Sequence, residues 1–116
     1  MLHVVGVARP FIPELRRVGL YGFEPELQGY VLWSLRKHWP RLAVTVAVQA
    51  EALQRIRPQL WLSAKPPPDA TLAPILWLDG IGTDAVPTRF SPKLWRLAAP
   101  LTRARLVLGI ERVLAA

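Results

Sequence analysis

The sequence predicts a three-layer α/β domain with a mainly parallel sheet of four or five strands. Short apolar segments alternate with amphipathic helical segments along the 116 residues, and Pro or Gly stands near most of the junctions between them. Right-handed connections between parallel strands place helices on both faces of such a sheet. Because 52% of the residues are hydrophobic, residues 1–116 can bury one core without disulfides or metals and are expected to form a single domain.

The first third of the chain is expected to contain one strand and two helices. Leu2–Ala8 (LHVVGVA) is nearly all apolar and predicts a buried first strand. Pro13 is expected to open a short helix that Gly19 and Gly22 interrupt. A longer helix is predicted over Pro25–Trp39, because apolar residues recur there at helical spacing and a proline follows the segment.

The middle of the chain predicts three further strands. Leu42–Val48 (LAVTVAV) is the clearest strand of the sequence, and Ala50–Arg57 follows as a short helix. Leu60–Ser63 and Ile75–Leu78 are the next two strands, and the tryptophan within each is expected to be buried. Between them, three prolines within Lys65–Asp69 predict a stiff, extended loop, since proline removes a backbone donor.

The last third is expected to be a loop followed by two helical segments. Residues 81–90 predict a loop, and a short edge strand near Ala85 is an alternative within it. Ser91 is expected to cap a helix that begins at Pro92, because serine accepts from free N–H groups and proline suits the first turn. Pro100 would break or kink this helix, and Leu101–Leu114 is predicted to form the last one.

Several of these segments resemble parts of the receiver domains of two-component response regulators. Val44–Ala64 (VTVAVQAEALQRIRPQLWLSA) is similar to the receiver stretch from the second to the third strand, which typically runs from an EAL helix into RPDLVLLD. Ala73–Gly80 looks like the receiver's fourth strand, Thr83–Leu97 like the stretch that ends KPFSPEEL, and Leu2–Arg17 like its beginning. The resemblance implies a flavodoxin-like fold that serves as a regulatory binding scaffold.

The residues on which receiver chemistry depends are replaced in this sequence. A receiver binds Mg²⁺ through an acidic pair and is phosphorylated on an aspartate, and the corresponding positions hold Gly6, Val7 and Ala64. Its later Thr or Ser and its Lys correspond to Asp79 and Thr88. Without carboxylates no oxygen cage holds Mg²⁺, and without Mg²⁺ nothing offsets the charge of a transferring phosphoryl group. We therefore expect no phosphorylation, no metal and no cofactor.

Composition narrows the possible functions further. The absence of cysteine excludes a disulfide framework, a thiolate nucleophile and a zinc-thiolate site. No signal peptide and no apolar run of about 20 residues is visible, so a cytoplasmic location is expected. The net charge is +7 and the pI about 11.1, with twelve arginines among the fifteen basic residues. This balance suits a polyanionic partner, although an ordinary arginine-rich surface would produce it as well.

Residues suited to catalysis are few and scattered. His3 and His38 are the two histidines, and no carboxylate accompanies them at metal-ligand spacing. Asp79 and Asp84 flank a Gly-Ile-Gly loop after a predicted strand, where open α/β sheets place ligands. A glycine-bearing turn with solvated aspartates explains the same residues. We expect the protein not to be an enzyme, and this loop is where an active site would lie if the protein is one.

The C-terminal third holds the predicted contact surface. Apolar residues of its last helix span more than one narrow stripe, so either a partner or the Pro25–Trp39 helix must cover the second side. The candidate partner interface comprises Trp95, Leu101, Leu106, Ile110 and Val113, and the candidate polyanion contacts are Arg96, Arg103, Arg105 and Arg112. A second basic group, namely Arg36, Lys37, His38 and Arg41, ends the long helix.

These observations favour a non-catalytic function. The first expectation is a regulatory or assembly module that binds a protein partner, a second copy of itself included, in which case the pairing would be isologous. The alternative is a nucleic-acid-binding protein that uses its arginine-rich surface, although neither basic group matches a known nucleic-acid-binding motif. The two hypotheses differ in the surface they need, which is apolar for the first and basic for the second.

Overall fold

The computed structural model describes residues 12–68, 71–79, 87–98 and 102–116. Within these ranges the chain forms an α/β structure of six strands and three helices. In chain order these are β1 (Arg17–Tyr21), α1 (Pro25–His38), β2 (Ala43–Ala47), α2 (Ala52–Arg55), β3 (Leu60–Ser63), β4 (Ile75–Asp79), β5 (Thr88–Ser91), β6 (Leu94–Ala98) and α3 (Arg103–Ala115). The predicted strand at Leu2–Ala8, the optional strand near Ala85 and the break at Pro100 lie outside the described residues.

The six strands form one mostly parallel sheet in the order β2-β1-β3-β4-β6-β5. Every neighbouring pair is parallel except β5 and β6, which form an antiparallel hairpin at one edge. The parallel part has the doubly wound order in which the second strand lies outside the first. The sheet therefore has more strands than the four or five predicted, because the hairpin adds an antiparallel edge strand.

The prediction of a helix opening at Pro13 is wrong, since no helix begins there and β1 follows as an interior strand of the sheet. Val18 and Leu20 pack into one core cluster while Gly19 between them faces Trp61 on the other side, which is the two-residue period of a strand. β1 pairs with β2 on one side and β3 on the other. Pairing and burial on both sides outweigh the local helix signal, and Gly22 then ends the strand with a φ of 78°.

The prediction of a helix capped by Ser91 is also wrong, because Ser91 ends β5 and Pro92 lies in the turn of the hairpin. In β6, Trp95 and Leu97 pack into the core on the side of α3 and Arg96 lies between them, which is again a strand period. The N-cap of the last helix is instead Thr102, whose Oγ1 accepts a hydrogen bond from the backbone N–H of Arg105 at 3.2 Å.

β5 is a further difference, because Thr88–Phe90 were predicted as part of a loop, whereas the remaining elements agree with the sequence prediction. The helix predicted over Pro25–Trp39 is α1, with Pro25 in its first turn, and the strands predicted at Leu60–Ser63 and Ile75–Leu78 are β3 and β4. The short helix within Ala50–Arg57 shrinks to α2. Leu53 of this helix is completely buried, whereas Ile56 is 41% exposed because it lies past the end of the helix.

The two faces of the sheet carry different cores. The helix-covered face packs against α1 and α3 and holds a large aliphatic cluster that includes Leu20, Leu62, Leu76 and Leu97. The opposite face has a smaller cluster formed by Ala47, Leu53, Trp61, Ala73 and Ile75. Trp61 is completely buried, as predicted. Trp77 is only half-buried, contrary to prediction, because its strand neighbours on this face are Ser63 and Arg96 rather than large apolar residues.

Candidate functional site

The apolar residues predicted to bind a partner lie inside the fold. Leu106, Ile110 and Val113 are buried in the core of the helix-covered face, where α3 contacts both α1 and β4. The alternative in which the long helix covers the second side of α3 is therefore the one observed. Trp95 is half-buried, and Leu101 lies outside the described residues. The prediction that these three side chains face a partner must be corrected, because they are buried and stabilise the chain itself.

The four arginines predicted to contact a polyanion do not share one surface. Arg96 lies on the opposite face of the sheet from α3, with its guanidinium 5.7 Å from the centre of the Phe90 ring. Arg103 and Arg112 are both exposed on α3, but nine residues are two and a half turns, so they project from opposite sides of this helix. Arg105 is half-buried near the start of α3. The alternation of side chains along β6 and the helical period of α3 therefore separate these arginines from one another.

A crevice of about 540 Å³ lies where the parallel strands end, lined by residues that include Gly22, Glu24, Gln28 and Lys65. It adjoins the ends of β1 and β3, where doubly wound sheets commonly bind ligands. The hydroxyl of Ser63 is turned to the backbone carbonyl of Lys65, so it does not face the crevice as a free nucleophile. Among the described residues, no three His, Cys, Asp or Glu side chains are placed to hold a metal ion.

The other sequence candidates for chemistry contribute no catalytic arrangement that the structure describes. His3 and Asp84 lie outside the described residues. His38 is exposed at the end of α1, where its ring makes an edge contact with Trp39 at 4.5 Å between centroids. In the described parts of the chain, no helix is both long enough and apolar enough to cross a membrane.

A surface on the outside of α1 joins two cations of the second basic group to exposed aromatic residues that sequence reasoning did not single out. Its members are Gly29, Tyr30, Trp33, Arg36 and Lys37, and we call it the α1 outer face. The buried side of α1 carries Val31, Ser34 and Leu35, so these five residues project away from the sheet. Trp33 is 55% exposed and Tyr30 is 40% exposed, whereas Trp39 and Trp61 are buried. The sequence signal that could have revealed this surface is the position of Trp33, which lies on the other side of α1 from its buried residues.

Aromatic rings and cations lie against one another on the α1 outer face. The Tyr30 and Trp33 rings are stacked, with centroids 6.4 Å apart and planes inclined by 30°. The ammonium of Lys37 lies 5.5 Å from the centre of the Trp33 ring, within cation–π range. No acidic residue occurs anywhere from Leu27 to Ala50, so the local sequence supplies no carboxylate that would offset the charge of Arg36 and Lys37.

The α1 outer face and a groove at α3 both combine apolar and basic groups. A cavity of about 570 Å³ on the α1 outer face is lined by Gly29, Leu32, Trp33, Arg36 and Lys37. A groove of about 530 Å³ between α3 and the β5–β6 hairpin is lined by residues that include Trp95, Leu108 and Arg112. Trp33 is 55% exposed whereas Trp95 is half-buried, so the α1 outer face presents the more accessible indole.

Comparisons with protein families, with curated proteins and with solved structures find no match to this chain. They do not identify a receiver-like domain, so that resemblance stays a prediction. The candidate function must consequently be argued from the surfaces described above.

Proposed function

We propose that this protein is a non-catalytic binding module for single-stranded nucleic acid and that the α1 outer face is its contact surface. The observation that carries the proposal is Trp33, a largely exposed indole with the Lys37 ammonium over its ring and Arg36 beside it. Proteins that bind single strands combine aromatic rings, on which bases stack, with cations that contact phosphates. The α1 outer face brings both kinds of group together on one helix.

The charge distribution supports the same ligand. The net charge of +7 attracts polyanions to the molecule as a whole, and Arg41, three residues after the end of α1, adds a further positive charge near Arg36 and Lys37 in the sequence. Phosphates bound there would release condensed counterions, which makes affinity fall steeply with salt concentration. A bare arginine-rich surface would attract phosphates but would not place an exposed tryptophan among the cations.

The proposal places this ligand on a flavodoxin-like, receiver-like scaffold that has no phosphorylation site. The strand order β2-β1-β3-β4-β6 supports such a scaffold. Ala64 follows β3, where a receiver carries its phosphoaccepting aspartate. If β1 rather than Leu2–Ala8 corresponds to the receiver's first strand, the acidic pair falls on Gly22 and Phe23 instead of Gly6 and Val7, and the single carboxylate of Glu24 comes after them. A scaffold of this kind would act by binding alone.

A second candidate function is a regulatory or assembly module that binds a protein partner or a second copy of the chain. The groove between α3 and the β5–β6 hairpin favours it, because Leu108 is 58% exposed there beside Trp95. Exposed large apolar side chains beside a half-buried tryptophan are typical of interface centres. This candidate predicts self-association or partner capture that is lost on Leu108→Glu and that Trp33→Ala leaves unchanged.

Binding of a short labelled oligothymidylate, followed by fluorescence anisotropy, tests the first proposal. We expect affinity to fall by at least an order of magnitude between about 50 mM and 200 mM salt if several phosphates are contacted. Trp33→Ala should weaken binding roughly 5- to 150-fold, the range for loss of one stacked base. Arg36→Ala should weaken binding and flatten the salt dependence, because it removes a phosphate contact.

Two arginine variants provide matched controls for the loss of one charge. Arg55→Ala removes an exposed arginine from α2, and Arg103→Ala removes one from α3, so each lowers the net charge as Arg36→Ala does. Both should bind nearly as well as the unmodified protein. Equal losses for all three variants would mean that the charge acts without a defined surface, and unmeasurable binding at low salt would refute the proposed function.

A further inference from the structure

Gly29 is a glycine that the fold does not require. It lies inside α1 with φ outside the left-handed region, where glycine destabilises a helix relative to alanine. A Cβ built on Gly29 would meet no atom within 4 Å. Gly109 of α3 differs, because a Cβ there would come within 3.1 Å of Leu97 in the core. Close packing explains Gly109, whereas the space above Gly29 is open.

That open space adjoins the exposed indole. Gly29 is one helical turn before Trp33, and side chains four residues apart on a helix are neighbours. The cavity on the α1 outer face is lined by both residues, with Leu32 on one side and the cations Arg36 and Lys37 towards the C-terminal end. Tyr30 contacts the indole but does not line this cavity. Any side chain longer than glycine at position 29 would project into it.

We infer that this cavity, which we call the Gly29 notch, is a subsite that takes one unpaired base of a single-stranded nucleic acid. The inference rests on the proposed function and specifies where on the α1 outer face a base would bind. The base stacks on the Trp33 indole and lies over the bare backbone at Gly29, while its flanking phosphate meets Arg36 or Lys37. A planar ring suits the notch because Trp33 offers a flat aromatic face and Gly29 beside it carries no side chain.

The chemistry of the notch favours a base over an acidic peptide. An aspartate or glutamate side chain would satisfy the cations but has no planar face to cover the indole. A nucleotide satisfies both, since the base supplies the face and the phosphate supplies the charge. An acidic peptide is consequently a competing outcome that the experiment must be able to detect.

The test compares three probes and three variants. The probes are an oligothymidylate, an abasic strand of equal length, which has the same phosphates but no bases, and an acidic peptide of similar net charge. Gly29→Leu fills the notch, Gly29→Ala adds the smallest side chain, and Ala104→Leu adds the same bulk as the first variant at an exposed position of α3. Affinities are measured by anisotropy at several salt concentrations, and folding is followed by thermal unfolding.

We expect the unmodified protein to bind oligothymidylate roughly 5- to 150-fold more tightly than the abasic strand. Gly29→Leu should remove this preference and leave the salt dependence unchanged, and Ala104→Leu should keep the preference. Gly29→Ala should raise the melting temperature by roughly 3–6 °C, because alanine is the better helix former. If Gly29→Ala is more stable than the unmodified protein but binds bases less well, unfolding cannot explain its weaker binding.

The possible failures separate the two proposals. Binding of neither probe refutes the proposed function and the notch together. Salt-dependent binding without a preference for bases supports the proposed function and refutes the notch. A preference for bases that survives Gly29→Leu also refutes the notch, as does an acidic peptide that binds as tightly as oligothymidylate.

Discussion

The two faces of the sheet are covered in opposite ways. On the helix-covered face, α1 and α3 pack many aliphatic side chains of moderate size against the strands. On the opposite face, the four-residue helix α2 and the segment around Ala73 form a small cluster with one large buried side chain, that of Trp61. The indole lies directly on the backbone of Gly19 in the neighbouring strand.

This difference determines how each face responds to substitution. Burial on the helix-covered face is shared among many residues, so no single leucine carries most of it. On the opposite face, a large part of the buried apolar area belongs to Trp61, and its place depends on the missing side chain at Gly19. We therefore expect the stability of the opposite face to depend mainly on the pair Gly19 and Trp61. On the helix-covered face, we expect no single pair to have a comparable effect.

The largest effect is expected for Trp61→Ala. Removing a completely buried indole should lower the free energy of unfolding by roughly 3–5 kcal/mol, since both transfer and cavity terms are lost. Trp77→Ala is the matched control on the same face, and it should cost clearly less because Trp77 is half-buried. Urea unfolding of the three proteins measures both differences. Equal losses at the two tryptophans would contradict the asymmetry described for this face.

The second effect tests the helix-covered face on α3. Leu106→Ala should cost about 2–5 kcal/mol, because Leu106 is completely buried between α3 and the sheet. Leu108→Ala removes the same atoms from the exposed side of the same helix and should change stability by less than about 0.5 kcal/mol. Thermal or urea unfolding compares them. If Leu106→Ala were as mild as Leu108→Ala, the packing of α3 against the sheet would be wrong.

The sequence predicted the elements whose pattern is decided locally. α1 begins at a proline and carries a buried stripe, while β3 and β4 are short apolar runs with a proline shortly before each, so periodicity and the positions of proline sufficed to predict these elements. β1 and β6 were missed because each is an interior strand through pairing with parallel partners distant in sequence, β2 and β3 for β1 and β4 for β6. Arg17–Tyr21 becomes a strand through pairing with β2 and β3 and through the packing of Trp61 on Gly19.

The candidate site was harder to predict than the fold. The basic residues Arg36 and Lys37 were noted as a group, but composition alone did not reveal that Trp33 stands exposed beside them. The arginines of the C-terminal third looked contiguous in sequence, yet Arg96 belongs to the other face of the sheet. Which residues share a surface depends on the register of the strands and on the rotation of each helix about its axis. Residue spacing predicts neither of these where a strand such as β6 has been taken for a helix.

The smallest of these effects, and the sharpest test of the opposite face, is Gly19→Ala. A Cβ at position 19 would lie 2.2 Å from Cε3 of Trp61, closer than any real contact, so the indole or the strand must move. Overpacking of this kind costs roughly 1–3 kcal/mol. Without the clash, alanine in a strand should be more stable than glycine by roughly 0.5–1 kcal/mol. The sign of the effect therefore reports whether Trp61 occupies that space.

A double-mutant cycle with Trp61→Leu makes this reversal measurable. Leucine removes the six-membered ring that Gly19 faces and keeps part of the apolar volume, and it loses no hydrogen bond, since Nε1 of Trp61 has no partner among the described residues. Gly19→Ala should be destabilising beside Trp61 and neutral or stabilising beside leucine, a coupling of at least about 1 kcal/mol for residues in direct contact. Additive effects in urea unfolding would show that the two residues do not touch. A strong coupling would instead establish that one glycine makes room for the side chain on which the opposite face depends.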